Sequence, residues 1–374
     1  MSTVNPFPTS EYISPEYFCD REVETQEIFN AIDNQRNITL ISSRRMGKTA
    51  LIKHCFYLLK SRKDLSVHYF DIYSTQNLQG FINLLASSLI GYFESKPEKI
   101  YKNIVNILGR FRPILSFDDL SGAPSVELAL DSQTEAEQSL KVIFEYLAQQ
   151  KKRIVIAIDE FQQITNYPET NVEALLRTHL QSAKNISMIF SGSNRRMMIS
   201  VFSDYARPFY QSSGFLFLEK IDSEKYASFI LRHFEKSGME IADDALDFLL
   251  KWTKTHTYYV QETCNRLYSK KNSAITTENV KQIMLQILEE RSHLYQMYQQ
   301  TLSSVQFKLL KAIAIENGVE KPQSALFLKN HNLGAASSVA RALEALENKE
   351  LVIQENGNFT LTDIFLLRWF QWVG

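Results

Sequence analysis

Five short runs of β-branched and aromatic residues set the strongest limit on how this chain folds. They are NITLIS (37–42), VHYFDIY (67–73), RIVIAID (153–159), ISMIFSG (186–192) and GFLFLEK (214–220). Most are apolar almost without interruption, the pattern of strands buried on both faces. Helical patterns separate them: KTALIKHCFYLLKS after the first, LQGFINLLASSLIGYFES after the second, TEAEQSLKVIFEYLAQQ before the third and VEALLRTHLQSA before the fourth. A parallel sheet covered by helices, an α/β doubly wound domain, accommodates that order. One segment breaks it. RPILSFDDLSGAPSVELAL (112–130) has two period-2 stretches around Ser-Gly-Ala-Pro and predicts a β-hairpin insertion.

Beyond residue 220 the strand pattern stops. DSEKYASFILRHFEKSG, ADDALDFLLKWTKT, YYVQETCNRLYSK and TTENVKQIMLQILEE all read as helices, punctuated by Gly238 and Thr276-Thr277. Three further helical patterns, SVQFKLLKAIAIEN, SALFLKNHN and AASSVARALEALENK, precede LVIQENGNFTLT, a hairpin with Asn-Gly at its turn. Three helices followed by a hairpin is the order of a winged helix-turn-helix. The expected organisation is an α/β core over 1–220, a helical domain over 221–295 and a winged helix over 296–374. Trp252, Trp369 and Trp372 sit at helical spacing among apolar residues and read as core.

Composition narrows the function classes. Apolar residues make up 44% and charged residues 22%, enough for a sizeable core. A formal net charge of −1 gives no global attraction to nucleic acid or an anionic membrane. Cys19, Cys55 and Cys264 are odd in number and far apart, so a reducing cytoplasm is expected. MSTVNPFPTS lacks the basic and apolar regions of a signal peptide, and no apolar run approaches the roughly 18 residues of a membrane helix.

The junction of the first strand and helix, ITLISSRRMGKTALIKH (38–54), carries the chemistry. The phosphate-loop pattern is Gly, four residues, then Gly-Lys-Ser/Thr. Ser42 holds the first glycine position, and Gly47-Lys48-Thr49 close the motif. Loop amides and the helix N-terminus cradle phosphate oxygens, Lys48 reaches the β- and γ-phosphates, and the Thr49 hydroxyl binds Mg²⁺. Gly47 allows close backbone approach. A serine at the opening position carries a conformational cost of order 1 kcal/mol if its φ is positive.

RIVIAID ends in Asp159 and Glu160. An acid at the end of a buried strand suits Mg²⁺, and the acid after it suits polarising an attacking water. The next strand, ISMIFSG, ends in Ser193 and Asn194. Either could contact the γ-phosphate or the water. Arg195, Arg196 and Arg207 are alternatives for neutralising transition-state charge. No guanine-reading Asn-Lys-x-Asp occurs, so ATP is favoured over GTP.

Five stretches carry a resemblance. SPEYFCDREVETQEI (14–28) is similar to a Phe-x-x-Arg-Glu-x-Glu box, here Phe18, Arg21, Glu22 and Glu24. SSRRMGKTALI is similar to Gly-Pro-Arg-Arg-x-Gly-Lys-Thr-Ser-Leu, with serines replacing Gly-Pro. IVIAIDEFQ matches a Walker B strand. In TKTHTYYVQETCNRLY (253–268), Thr255, His256 and Thr257 stand where Gly-His-Pro usually stands, while Tyr259 and Gln261 remain. FTLTDIFLLRWF (359–370) is similar to Asp-Pro-x-Phe-x-x-x-Trp, with Ile364 in place of Pro. In these features the chain resembles the archaeal-type ATPases of the STAND-like branch of P-loop ATPases, close to AAA+ proteins. The resemblance implies strand order 5-1-4-3-2, a helical lid and a nucleotide at the ATPase–lid interface. It also implies that Phe18 and Arg21 lie near adenine, and that Ser43, Arg44, Arg45, Met46, Gly47, Lys48, Thr49 and Ala50 surround the phosphates. His256 would touch the base or γ-phosphate, an ordinary helix-start histidine being the alternative reading.

Three functions stay open at this point. The first is an ATP-driven conformational switch acting on an unidentified protein partner. The second is a DNA-binding, initiator-like ATPase. Residues 297–374 hold seven basic and seven acidic residues, 7 − 7 = 0, and AASSVARALEALENKE offers one arginine against three glutamates. Because phosphate contacts dominate DNA affinity, the winged helix is poorly equipped for DNA, and protein contact is favoured. The third is a nucleotide-binding pseudo-ATPase, motivated by Ser42.

Overall fold

The computed structural model describes residues 4–90, 105–117 and 124–373. The chain divides into two compact units, one of residues 14–43 and 47–219, the other of 1–13, 44–46 and 220–374.

The first unit is built on five parallel strands: β1 (Ile38–Ile41), β2 (Leu65–Asp71), β3 (Arg153–Asp159), β4 (Ile186–Gly192) and β5 (Gly214–Phe217). Their order is β2-β3-β4-β1-β5, which is the expected 5-1-4-3-2 read from the other edge. Every residue of β1 and β4 is buried, as is β3 from Ile154 onward. Removing a Val, Ile or Leu side chain from water contributes about 1.5–3 kcal/mol, so unbroken apolar runs are most stable in the middle of a covered sheet. The helices are α1 (Glu22–Asp33), α2 (Lys48–Leu59), α3 (Leu78–Ile90), α4 (Gln133–Ala148), α5 (Val172–Ser182) and α6 (Arg195–Ser203). In α4 the buried residues Ala136, Ser139, Leu140, Ile143, Phe144 and Leu147 follow helical spacing, and Ser132 caps the first turn through the Glu135 amide.

The hairpin expected over 112–130 forms, Pro113–Phe117 pairing antiparallel with Pro124–Leu128. The tip of its expected turn, Ser121 to Ala123, and residues 91–95 of the expected second helix lie outside the described residues.

The second unit contains α7 (Ser223–Glu235), α8 (Asp243–Trp252), α9 (Thr257–Lys270) and α10 (Thr277–Thr301). Strand structure does not stop at 220 as expected. Glu240–Ile241 pairs in parallel with Ala274–Ile275, too short a pairing to leave a period-2 pattern. A capping box of Thr276 and Asn279 starts α10, whose 25 residues run through the boundary expected at 295. Phe7 is buried against Phe229, Phe234 and Tyr268.

The winged helix follows as α11 (Ser304–Ile315), α12 (Ala325–Asn330), α13 (Ala336–Asn348), β6 (Val352–Glu355), β7 (Asn358–Leu361) and α14 (Ile364–Val373). Asn356 and Gly357 turn the wing at φ 50° and 80°, the two positive values that match a tight hairpin to strand twist. Trp369 is buried, but Trp372 is exposed, contrary to expectation. The buried face of α14 is filled by Leu366, Leu367, Trp369 and Phe370, and Trp372 falls outside it.

Candidate functional site

Three adjacent strands, β1, β3 and β4, end on the same edge of the parallel sheet and bring the motif residues together. Between β1 and α2, Arg45 (φ 63°) and Gly47 (φ 93°) adopt left-handed conformations. Ser42 is not among the residues with positive φ, so the cost anticipated for a serine there does not arise. Its buried hydroxyl donates to the Ser43 carbonyl at 2.9 Å and accepts from Lys48 Nζ at 3.2 Å. Lys48 Nζ also donates to the Ser42 and Ser43 carbonyls, each at 3.3 Å. Gly47 stands at the N-cap of α2 and supplies no side-chain cap. The first-turn amides at that end are therefore suited to anionic oxygens.

Thr49, on the first turn of α2, donates its hydroxyl to Asp159 Oδ2 at 2.6 Å. A second hydroxyl, that of Tyr69 on β2, donates to the same oxygen at 3.0 Å. In the β2–β3 register Tyr69 faces Ala157 and Asp71 faces Asp159. Burial, then the negative charges of Asp159 and Glu160, raise the Asp71 carboxyl above its ordinary range, against a bond from the Tyr73 amide. Burial first, then Asp159, likewise raises the Tyr69 phenol, keeping it a donor. Among the described residues no group of three or more His, Cys, Asp or Glu side chains could hold a metal alone. A hydroxyl and a carboxylate converging at 2.6 Å nonetheless fit Mg²⁺, which takes few protein oxygens and completes its shell with water and substrate phosphates.

Glu160 follows Asp159 with φ 53°, an uncommon backbone for a non-glycine residue. Ser193 Oγ donates to its Oε2 at 2.8 Å and Gln162 Nε2 to the same atom at 2.5 Å. Of the two polar residues considered after β4, Ser193 reaches Glu160, whereas Asn194 caps α6 by accepting from the Met197 amide at 3.0 Å. Arg207 is paired with Glu173, and the Arg195 guanidinium lies 4.9 Å from the Phe217 ring centroid. Arg196 is exposed.

Phe18 stacks on the His54 ring with centroids 4.2 Å apart. Arg21 is buried and donates to Glu24 at 2.8 Å and to the Glu219 carbonyl at 2.6 Å. Ala50 is half-buried on α2.

Arg44, Arg45 and Met46 group with the second unit. There Arg44 pairs with Glu350 at 2.5 Å and Arg45 with Asp363 at 3.5 Å, while the Arg45 guanidinium lies 4.7 Å from the Tyr258 ring centroid. Buried Met46 accepts at its carbonyl from the Thr257 hydroxyl at 3.3 Å. His256 precedes α9, buried, with Nδ1 unpartnered. Burial, with the positive charges of Lys220 and Arg45 adding to it, pushes its pKa down to about 3. It is a neutral imidazole at physiological pH.

Sequence reasoning assigned no role to Tyr69 or Gln162. Gln162 was visible within IVIAIDEFQ, whereas Tyr69 needed the strand register.

No curated protein matches this chain. Among solved structures, a Walker-type ATPase of Pyrococcus abyssi superposes with a TM-score of 0.69 at 16% identity, covering 98% of this chain and 99% of that one. The ORC2 protein of Aeropyrum pernix, solved as ADPNP–ADP complexes, gives 0.61 at 14% identity, covering 100% and 98%. The ORC1 protein of Aeropyrum pernix in complex with DNA gives 0.53 at 12% identity, covering 96% and 93%. These likenesses establish the fold. A model of a probable winged helix domain matches residues 293–372. The model described as an ATPase domain predominantly from Archaea matches residues 18–262, well over half of the chain, and the protein belongs to that family of P-loop ATPases.

Proposed function

We propose that this protein binds ATP with Mg²⁺ at the ends of β1, β3 and β4 and hydrolyses it slowly, its nucleotide state acting as a conformational switch. The observation that carries the reading is the meeting of Thr49 and Asp159 at 2.6 Å beside Lys48. The metal-binding hydroxyl, the metal-binding acid and the phosphate-binding amine thus share one sheet edge. Lys48 and the loop amides hold the β- and γ-phosphates. Mg²⁺, when bound, offsets charge on the phosphate oxygens. Glu160 accepts a proton from the attacking water, and Ser193 orients its carboxylate. ATP and water yield ADP, phosphate and a proton.

The switch reading draws on the loop itself, whose residues 44–46 group with the unit that holds the helical segment and the winged helix. A change of phosphate occupancy at this loop is the signal that a protein partner would read. DNA binding is the second reading. It draws on the winged helix and on the ORC1 neighbour solved with DNA. The even charge balance of residues 297–374 argues against it.

The test is Mg²⁺-dependent ATP hydrolysis by wild type, Lys48→Ala and Glu160→Gln, with and without duplex DNA. Turnover that falls at least about 100-fold in both variants supports the reading. ATP binding without turnover would leave a pseudo-ATPase or an enzyme that needs its partner, and stimulation by DNA would favour the second reading. In the same samples, trypsin cleavage near Lys220 should differ between ATP and ADP. Identical cleavage would remove the switch.

A further inference from the structure

Two unusual features of this fold converge on one carboxylate. Glu160 carries the left-handed backbone already described. Two residues on, Gln162 is 8% exposed, and its Oε1 has no hydrogen-bond partner. Burying an unpaired amide oxygen costs stability. A methionine of the same length would fill the space without that cost. What a methionine could not supply is the amide donor, and Gln162 spends that donor on Glu160 Oε2 at 2.5 Å.

The other side of the cradle is shaped to the same amide. Gly192, the last residue of β4, lies directly beneath it. A Cβ at position 192 would fall 2.4 Å from Gln162 Oε1 and 2.6 Å from the Met198 side chain. The next residue, Ser193, provides the second donor to Glu160 Oε2 at 2.8 Å. Both donors take Oε2. Oε1 of Glu160 receives no hydrogen bond from the described residues. One carboxylate oxygen is anchored and the other is left to take a proton.

From this we infer that Gln162 is a positioning residue for hydrolysis: its amide, seated on Gly192, fixes the Glu160 carboxylate so that Oε1 is the oxygen presented to the attacking water. The inference rests on the proposed role of Glu160 as the base and extends it to two residues, Gln162 and Gly192, without a previous role. In this role Gln162 acts only through Glu160, to which its amide donates.

The test uses the full chain, with steady-state kinetics, direct binding of a non-hydrolysable ATP analogue and thermal denaturation for each variant. Gln162→Met keeps length and loses the donor. It should lower kcat by about tenfold, leave KM and analogue affinity within about twofold, and leave the melting temperature unchanged or higher. Gly192→Ala displaces the amide and should lower kcat similarly. In a Gln162→Ala background it should lower kcat by less, because no amide is left to displace. Strain against Met198 is common to both backgrounds and cancels in this cycle. If Gln162→Met turns over within twofold of wild type while Glu160→Gln is inactive, Gln162 is a packing residue and the inference is overturned. Additive losses in the Gly192 and Gln162 cycle overturn it equally, and decide the matter should the methionine variant fail to fold. If Glu160→Gln retains wild-type turnover, the assignment of Glu160 fails first, and this inference with it.

Discussion

Two positions where the resembled family carries glycine, Ser42 and Thr255, have met the loss of that glycine differently. At the end of β1, Ser42 keeps an ordinary backbone, and its hydroxyl joins the ring of acceptors around Lys48. Before α9, Thr255 sits at φ 51°, directly after Lys254 at φ 53°. Its hydroxyl bonds no further than the Lys254 carbonyl, at 2.8 Å. A β-branched residue in the left-handed region is strained. Glycine serves a motif in two separable ways, by leaving space and by permitting positive φ. The phosphate loop requires positive φ at Arg45 and Gly47 and none at 42. The turn into α9 requires it at 255 and stores the strain.

The largest effect expected at the strained turn is on acid stability, through its neighbour His256. Folded His256 has a pKa near 3, against about 6.5 in the unfolded chain. Between those values the unfolded state binds the extra proton, so stability is full above about pH 6.5 and falls as pH drops toward 3. Urea denaturation followed from pH 7 to 4 should show a steeper loss in wild type than in His256→Gln. Equal slopes would mean that the histidine is solvated. A smaller effect is expected at the strained residue itself. Thr255→Gly should raise stability by about 0.5–1 kcal/mol, relief of left-handed strain exceeding the greater freedom of glycine in the unfolded chain. Destabilisation would show that the threonine is held there by contacts worth more than its strain.

The same contrast explains how much of the molecule was legible beforehand. Ile154 to Ile158 and Ile186 to Phe190 announced central strands because burial on both faces leaves an unbroken apolar run. Gly47-Lys48-Thr49 and Asp159-Glu160 announced the site because their chemistry is fixed by spacing along the chain. Tyr69 was not legible, because its meeting with Asp159 depends on which residues of β2 and β3 lie opposite. Nor was the division of labour between Ser193 and Asn194, which turns on whether a helix begins at 195 and needs a cap. The conformations of Ser42 and Thr255 were hidden for a related reason. The residue type says what a backbone angle costs, and the surrounding fold says which angle is imposed. The pairing of 240–241 with 274–275 is set by the helices that flank it and leaves no pattern of its own.

The central claim is that the phosphate loop holds ATP with serine at its opening position. The most direct measurement is the ATP affinity, by calorimetric titration with Mg²⁺, of wild type, Ser42→Gly and Gly47→Ala. The account predicts that wild type binds and that Ser42→Gly stays within about threefold, since at most one neutral hydrogen bond is exchanged. Gly47→Ala should lose at least about tenfold, because alanine resists the φ of 93° at that position. An undetectable affinity in wild type that Ser42→Gly restores would contradict it, and would show the loop to have kept its shape without its ligand.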